Sequence, residues 1–155
     1  MNAITQILSP DFVDSGLTVP NKKVLFQQLA TAVGRRAGYD PKPILVSLNE
    51  REKLSSTGFG SGVAIPHGKL AGLPHVLGYF ARLTAPIDFQ SVDGLPVDLV
   101  FLLLSPIDAG ADHLKALAGV SRLLRDRQMT AKLRGARSND AMFALLAGIE
   151  ALDAA

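Results

Sequence analysis

The chain has 155 residues, 48% of them hydrophobic, which is enough to bury a core without disulfide or metal staples. Its 16 lysines and arginines exceed its 14 aspartates and glutamates by two, and a net charge of +2 gives no reason to expect nucleic acid or an anionic membrane as the main partner. The chain contains no cysteine, which excludes disulfides, thiolate nucleophiles and thiolate metal ligands.

The N-terminal part of the chain is predicted to be mainly helical. Residues 2–8 form a short helix, and residues 12–19 contribute an edge strand. Asn21 then caps a longer helix with apolar residues at helical spacing, and Gly38 ends it.

A second long helix begins at Asp40-Pro41, where proline occupies the first helical position. Ile44 and Leu48 mark the buried stripe of this helix, and the next position on the stripe is Arg51. We therefore expect the Arg51 guanidinium to point partly inward.

The next segment, residues 57–69, is rich in glycine and has the sequence TGFGSGVAIPHGK. Every second residue from Gly58 to Gly62 is glycine, so an extended backbone would expose bare peptide groups on one face. Residues 63–65 are predicted to form a short strand, and the proline that follows fixes the backbone just before His67. Because unpaired N–H groups in such turns bind anions, this segment indicates chemistry on a small anionic group.

The C-terminal part is predicted to contain two strands followed by helices. The predicted strands are 76–83 and 97–104, and the predicted helices are 112–125, 128–134 and one from Ser138 or Asn139 to about 150. Helices before and after a group of strands indicate a layered α/β domain. We expect one domain over residues 1–155, with a core of about 2–150. No membrane span or signal peptide is predicted, so we expect a cytoplasmic protein.

Three histidines could take part in chemistry. His75 follows a loop without other reactive groups, and a surface role is the simpler reading for it. His67 has the glycines, the proline and Lys69 near it. His113 begins an apolar helical stripe with Leu117, so its side chain should face inward. A cap at Asp112 would also place His113 in the first turn of a helix, where the helix dipole disfavours a charged imidazole. A neutral His113 could orient a second imidazole or stabilise a phosphoryl group on it.

Positive charge is available near these histidines. The Arg51 guanidinium has the fork of donors that suits phosphate oxygens, and Lys69 could attract an anionic donor or be solvated. A basic cluster from Lys115 to Arg137 is more simply a solvated helical face than a docking surface for a partner.

Other chemistries do not fit the sequence. Three histidines without suitably spaced carboxylates do not form a zinc signature, and there is no P-loop, dinucleotide fingerprint or serine-nucleophile elbow. What remains is histidine as the covalent acceptor of a phosphoryl group, without a metal or organic cofactor.

Residues 56–69 closely resemble the signature of type 2 enzyme IIA proteins of the bacterial phosphotransferase system. The glycine spacing, the Pro-His-Gly-Lys run, the upstream Arg51-Glu52 and the downstream His113-Leu114 occur in the order typical of that family, which includes a fructose/mannitol class and a nitrogen-regulatory branch. The resemblance covers about residues 2–150 and implies a mixed β-sheet flanked by helices on both sides.

The resemblance implies roles for individual residues. His67 would accept a phosphoryl group from an HPr-like phosphocarrier on Nε2, with His113 as its hydrogen-bond partner and Arg51 stabilising the phosphate. A phosphate loop around the acceptor would comprise Thr57, Gly58, Gly60, Ser61, Gly62 and Gly68.

Three functions are consistent with this resemblance. A regulatory protein of the nitrogen branch would bind partners according to its phosphorylation state, and potassium-transport or sensor-kinase proteins are examples of such partners. A sugar-transport component would instead pass phosphate to a cysteine of a IIB domain. An anion-binding module that is never phosphorylated is the third alternative. The absence of a fused transmembrane domain and of cysteine favours the regulatory protein.

Overall fold

A computed structural model describes residues 2–149 of the protein. Its centre is a six-stranded sheet in which five strands follow the order β1-β5-β6-β3-β2, and β4 also pairs with β6. The pairs β1–β5, β3–β6 and β4–β6 are parallel, while β5–β6 and β2–β3 are antiparallel. The sheet is therefore mixed, as predicted. The strands are β1 (Val13–Leu17), β2 (Gly58–Gly60), β3 (Val63–Ala64), β4 (His67–Lys69), β5 (Leu77–Ile87) and β6 (Val97–Ser105).

Five α-helices accompany the sheet within the described residues. They are α1 (Lys22–Ala37), α2 (Pro41–Leu54), α3 (Ala111–Arg125), α4 (Arg127–Gly135) and α5 (Asn139–Ala147). The helix boundaries follow from local chemistry at both ends: Asn21 accepts a hydrogen bond from the backbone at the start of α1, and Gly38 ends it with a left-handed φ of 80°. None of these helices is both long and apolar enough to cross a membrane.

Helices cover both faces of the sheet, and β6 shows this most clearly. Val100, Leu102 and Leu104 belong to the core cluster under α1 and α2. Leu99 and Leu103 alternate with them and belong to the cluster under α3, α4 and α5. Alternate residues of a strand face opposite sides, so a nearly continuous apolar run marks a strand buried on both faces. The predicted α/β fold with helices on both sides is confirmed.

Several predicted boundaries differ from the structure. The N-terminal helix is only a 3₁₀ helix, Ala3–Gln6, and a second 3₁₀ helix spans Pro10–Phe12. The predicted cap of α3 at Asp112 is wrong, because the N-cap is Gly110. Asp112 lies inside the first turn, where its negative charge interacts favourably with the positive end of the helix dipole. Ser138 rather than Asn139 caps α5, which ends at Ala147. The predicted end at Glu150 lies outside the described residues.

The segment 63–69 runs parallel to β6 as two short strands. Val63 pairs with Leu99 and His67 with Leu103, and the interruption falls at Ile65-Pro66. The Pro66 carbonyl still accepts a hydrogen bond from Leu103 N, although proline itself has no N–H to donate. The sheet thus fixes the backbone on which His67 is placed.

Candidate functional site

The His67 imidazole is held by hydrogen bonds at both ring nitrogens. Its Nδ1 lies 2.8 Å from the Ile65 carbonyl oxygen, and its Nε2 lies 3.2 Å from Arg51 Nε. A carbonyl can only accept and a guanidinium can only donate. The neutral ring must therefore carry its proton on Nδ1 and keep a lone pair on Nε2.

Arg51 lies in the last turn of α2 and reaches this imidazole with its side chain. The helical stripe predicts that this side chain points partly inward. Its Nη1 donates to the Ser55 carbonyl at 2.9 Å, just past the helix end. The hydrogen bond to Ser55 therefore holds the guanidinium in place while its Nε donates to His67. Arginine at this position also complements the negative end of the helix dipole.

His113 lies on the first turn of α3, with its ring centroid 5.5 Å from that of His67. Its Nδ1 lies 2.6 Å from Oγ of Ser105, the last residue of β6. Within residues 2–149 the other ring nitrogen, Nε2, has no hydrogen-bond partner. The structure thus brings together His67, His113 and Arg51 from three separate elements.

Both histidines favour the neutral form. Burial lowers the pKa of His67, the hydrogen bond to Ile65 opposes this, and the nearby Arg51 charge lowers the pKa further. Burial also lowers the pKa of His113, and repulsion from the charge of Lys69 and from the charge that His67 would carry when protonated lowers it further. The place of His113 near a helix start predicts a neutral imidazole, and burial is the largest cause of its lowered pKa.

The glycine-rich turn before β3 does not lie beside His67. Gly60, Ser61 and Gly62 have φ values of 115°, 57° and 81°. Ser61 and Gly62 form the turn between β2 and β3. The three glycines at 58, 60 and 62 therefore do not share one extended face. Val63, directly after this turn, pairs with β6 four residues before the partner of His67, which is roughly 13 Å along a strand. This turn therefore lies toward the opposite end of β6.

The polar groups of this turn are bound by other parts of the protein. Ser61 N donates to Asp93 Oδ2 at 2.9 Å, and Arg134 Nη2 donates to the Ser61 carbonyl at 3.0 Å. Arg134 also binds both carboxylate oxygens of Asp98. Glycine-rich backbone binds an anion here as its composition predicts, but the anion is the protein's own Asp93 carboxylate. Part of the basic cluster from Lys115 to Arg137 likewise serves an internal ion pair.

The remaining predicted phosphate-loop residues lie closer to the site. Thr57 N and Oγ1 donate to the Glu52 carboxylate at 2.9 and 2.6 Å, next to Arg51 in the chain. Gly58 pairs with Ala64 across the hairpin. Gly68 follows His67 and faces α2, where Lys69 N donates to Ser47 Oγ at 2.9 Å. A role of these residues in binding phosphate stays a prediction, and Lys69 itself is exposed.

Sequence reasoning missed Ser47 and Ser105. Ser47 lies in the amphipathic helix α2 and Ser105 at the end of the apolar strand β6, and serine is so common that no motif distinguishes these two from the rest. Ser105 could have been noticed as the first hydroxyl after the apolar run of β6, at the end of a predicted central strand.

The side chains of His67, His113 and Arg51 are partly buried, and Lys69, two residues after His67, is exposed. A groove of about 650 Å³ lies elsewhere, between the first 3₁₀ helix and α3, and its lining includes His75, Lys115 and Arg122 but none of the three site residues. No group of three or more metal-ligating side chains occurs among residues 2–149. The arrangement offers a neutral imidazole nucleophile with the positive charge of Arg51 beside it.

Comparison with known proteins identifies the family. The model of the family described as "Phosphoenolpyruvate-dependent sugar phosphotransferase system, EIIA 2" matches residues 6–148. The chain is 50% identical to a nitrogen regulatory protein of Bradyrhizobium diazoefficiens, over 93% of this chain and 94% of that protein. It is 37% identical to a nitrogen regulatory protein of Pseudomonas aeruginosa, over 97% and 98% of the two chains.

A solved structure agrees with these relatives. The crystal structure of nitrogen regulatory protein IIA-Ntr from Neisseria meningitidis superimposes with a TM-score of 0.88 and 34% identity, covering 94% of this chain and 99% of that one. The chain therefore belongs to the type 2 EIIA family of the phosphotransferase system, as the resemblance of residues 56–69 indicated.

Proposed function

We propose that this protein carries a phosphoryl group on Nε2 of His67, accepts it from an HPr-like phosphocarrier, and regulates partner proteins according to its phosphorylation state. The observation that carries the proposal is the pair of hydrogen bonds on the imidazole. Because Nδ1 donates to the Ile65 carbonyl at 2.8 Å, the lone pair needed for attack is on Nε2. The lowered pKa of His67 keeps that lone pair free of a proton at neutral pH.

The transfer exchanges one nitrogen–phosphorus bond for another. The Nε2 lone pair of His67 attacks the phosphorus of the donor's phosphohistidine, a new N–P bond forms, and the donor imidazole leaves with the electron pair of the old one. No net proton transfer is needed, because the proton on Nδ1 stays on the Ile65 hydrogen bond. Catalysis of such a step depends mostly on position and on stabilising charge.

The contact between Arg51 and His67 supports a role of Arg51 in supplying that charge. In the unphosphorylated protein its Nε donates to the lone pair that must react, at 3.2 Å, so this hydrogen bond has to break as phosphorus approaches. The same N–H can then donate to a phosphoryl oxygen, while Nη1 remains on the Ser55 carbonyl. Arg51 therefore loses no hydrogen bond in the reaction, and its charge becomes better matched.

Exposed apolar side chains close in the chain to the site residues support contact with a protein donor. Three exposed apolar side chains follow the site residues closely in the chain: Leu54 after Arg51, Leu114 after His113, and Ile107 after Ser105, with 80%, 66% and 62% of their surface exposed. Such side chains favour a docking surface for the phosphocarrier. Lys69 adds a positive charge that we expect to attract a phosphorylated donor.

The regulatory role rests on similarity. The Bradyrhizobium and Pseudomonas relatives are both named nitrogen regulatory protein and match this chain over nearly their whole length. Regulation through phosphorylation state is consistent with a chain that has no cysteine to receive the phosphate itself.

The test is incubation with phosphoenolpyruvate, enzyme I and the phosphocarrier, followed by mass spectrometry. We expect the mass to rise by one acid-labile phosphoryl group, and the His67→Ala variant to remain unmodified. His75→Ala is the matched control, since His75 is an exposed histidine outside the site. Phosphorylation that persists in His67→Ala would overturn the assignment. Rapid discharge from the wild-type protein to a sugar-specific IIB cysteine would contradict the regulatory role.

A further inference from the structure

We propose that Ser105 is a positioning residue for phosphoryl transfer: its hydroxyl fixes the tautomer of His113 with the proton on Nε2, where it can donate to the phosphoryl group on His67. The inference rests on the proposed function of His67 and extends it to a residue outside the family signature quoted above. It starts from one contact, the 2.6 Å between Ser105 Oγ and His113 Nδ1.

The sheet places Ser105 on the same face as the acceptor. His67 pairs with Leu103 and Lys69 with Ser105, so Ser105 is two residues beyond the partner of His67. Residues two apart in a strand face the same side. Leu103 belongs to the core cluster under α3, so Ser105 also faces α3 and meets His113 there.

The position of the hydroxyl proton follows from burial. Ser105 has no exposed surface, and within residues 2–149 its Oγ has no hydrogen-bond partner besides His113. If His113 donated from Nδ1, the Ser105 hydroxyl would accept, and its own proton would be buried without an acceptor. Donation from Ser105 to Nδ1 leaves no buried donor unsatisfied, so it is the favoured arrangement.

This arrangement decides what His113 offers to its neighbour. A neutral imidazole that accepts at Nδ1 must carry its proton on Nε2. With the Ser105 contact on Nδ1, Nε2 is the nitrogen left to act on a phosphoryl group at His67, 5.5 Å away between ring centroids. An Nε2–H donates to phosphoryl oxygens, whereas an Nε2 lone pair would repel them.

The first test reads the tautomer directly, in the unphosphorylated protein. We expect ¹⁵N chemical shifts of the His113 imidazole to report the Nε2–H form in wild type and a mixture of both tautomers in Ser105→Ala. His67 is the internal control, because its Nδ1–H form depends on Ile65 and should not change. A wild-type His113 with its proton on Nδ1 would overturn the proposal.

The second test measures transfer from the phosphocarrier. We expect Ser105→Ala to slow phosphorylation of His67 about tenfold, and Ser105→Thr, which keeps the hydroxyl, to stay within about threefold of wild type. In a His113→Ala background the Ser105→Ala change should have no further effect, because Ser105 acts through His113. Rates are compared where circular dichroism shows each variant folded.

The outcomes separate this proposal from the function on which it rests. Equal slowing by Ser105→Ala with and without His113, or an unchanged rate together with an unchanged tautomer, would refute the role of Ser105 while His67 remained the acceptor. Absence of any phosphorylation in wild type would refute the proposed function, and the tautomer measurement would still decide whether Ser105 fixes the proton of His113.

Discussion

Replacing Gly68 with alanine should move α2 away from the sheet. Gly68 lies on β4 directly under α2, and an added Cβ would overlap Ser47 Oγ and lie 3.0 Å from Ser47 Cβ and 3.3 Å from its carbonyl carbon. Carbon atoms in good contact are about 3.5–4.0 Å apart. The hydroxyl can rotate, but the other two atoms belong to the helix, so the helix itself must shift by several tenths of an ångström.

The expected cost has two parts. Inserting a methyl group into a packed contact costs about 1–3 kcal/mol. Rotation of the Ser47 hydroxyl also breaks its hydrogen bond with Lys69 N, which contributes about 1 kcal/mol. We therefore expect Gly68→Ala to lower the free energy of unfolding by about 2–4 kcal/mol in urea titrations analysed at constant slope.

The same shift should reach the site. Arg51 lies one helical turn beyond Ser47 and touches His67 Nε2 at 3.2 Å, so moving α2 lengthens this contact and slows phosphorylation. Gly16→Ala is the matched control, since Gly16 is also in a strand but an added Cβ there meets nothing within 4 Å. In the Gly68→Ala background, Ser47→Gly should recover part of the stability. If Gly68→Ala unfolds at the same urea concentration as Gly16→Ala, or Ser47→Gly brings no recovery, the packing argument fails.

Three further predictions concern the site and its surroundings. Arg51→Ala or His113→Ala should each slow phosphorylation about a hundredfold, because one donor to developing charge is lost; wild-type rates in both would contradict their roles. Burial lowers the pKa of His67, so the unfolded chain binds more protons than the folded one in acid. The contribution of His67 to the free energy of unfolding should therefore be full above about pH 6.5 and be lost as pH falls through the lowered folded-state pKa. An unchanged pH dependence in His67→Gln would refute this. Gly62→Ala, with φ at 81° and Arg134 and Asp98 in the way, should lose about 2 kcal/mol of stability and keep the wild-type transfer rate; slower transfer would support the phosphate-loop prediction instead.

The sequence predicted the elements of the fold well where their local chemistry is strong. Asn21 and Gly38 bound α1 as expected, and the apolar run of β6 marks a strand buried on both faces. Periodicity also placed Arg51 and His113 on inward stripes, which is how they come to meet His67. The weakest predictions concerned ends without a distinctive cap, as at Gly110, where a glycine with no side-chain hydrogen bond begins α3.

Strand pairing is what the sequence could not supply. Nothing in residues 58–62 says that their turn lies near the start of β6, because that depends on β3 pairing in parallel with Leu99 and Val100. The same register places Ser105 beside Lys69, far from it in the chain. The residues of the glycine-rich segment are therefore divided between the two ends of β6, while Lys69 and Ser105 are neighbours although they lie far apart in the chain.

The rigidity of the site limits how phosphorylation could be recognised. His67 is paired with β6 through its backbone and tied to Ile65 through Nδ1, so on the proposed function the phosphoryl group is added to a ring that has little freedom to turn. The change then consists mainly of negative charge at a fixed point, with Arg51 and His113 redirected toward it. A partner that distinguishes the two states must contact this surface or sense its charge within about 10 Å. The difference in a partner's affinity for the phosphorylated and unphosphorylated forms should therefore shrink as ionic strength rises. A partner that recognised a change of backbone fold would distinguish the two forms equally well in high salt.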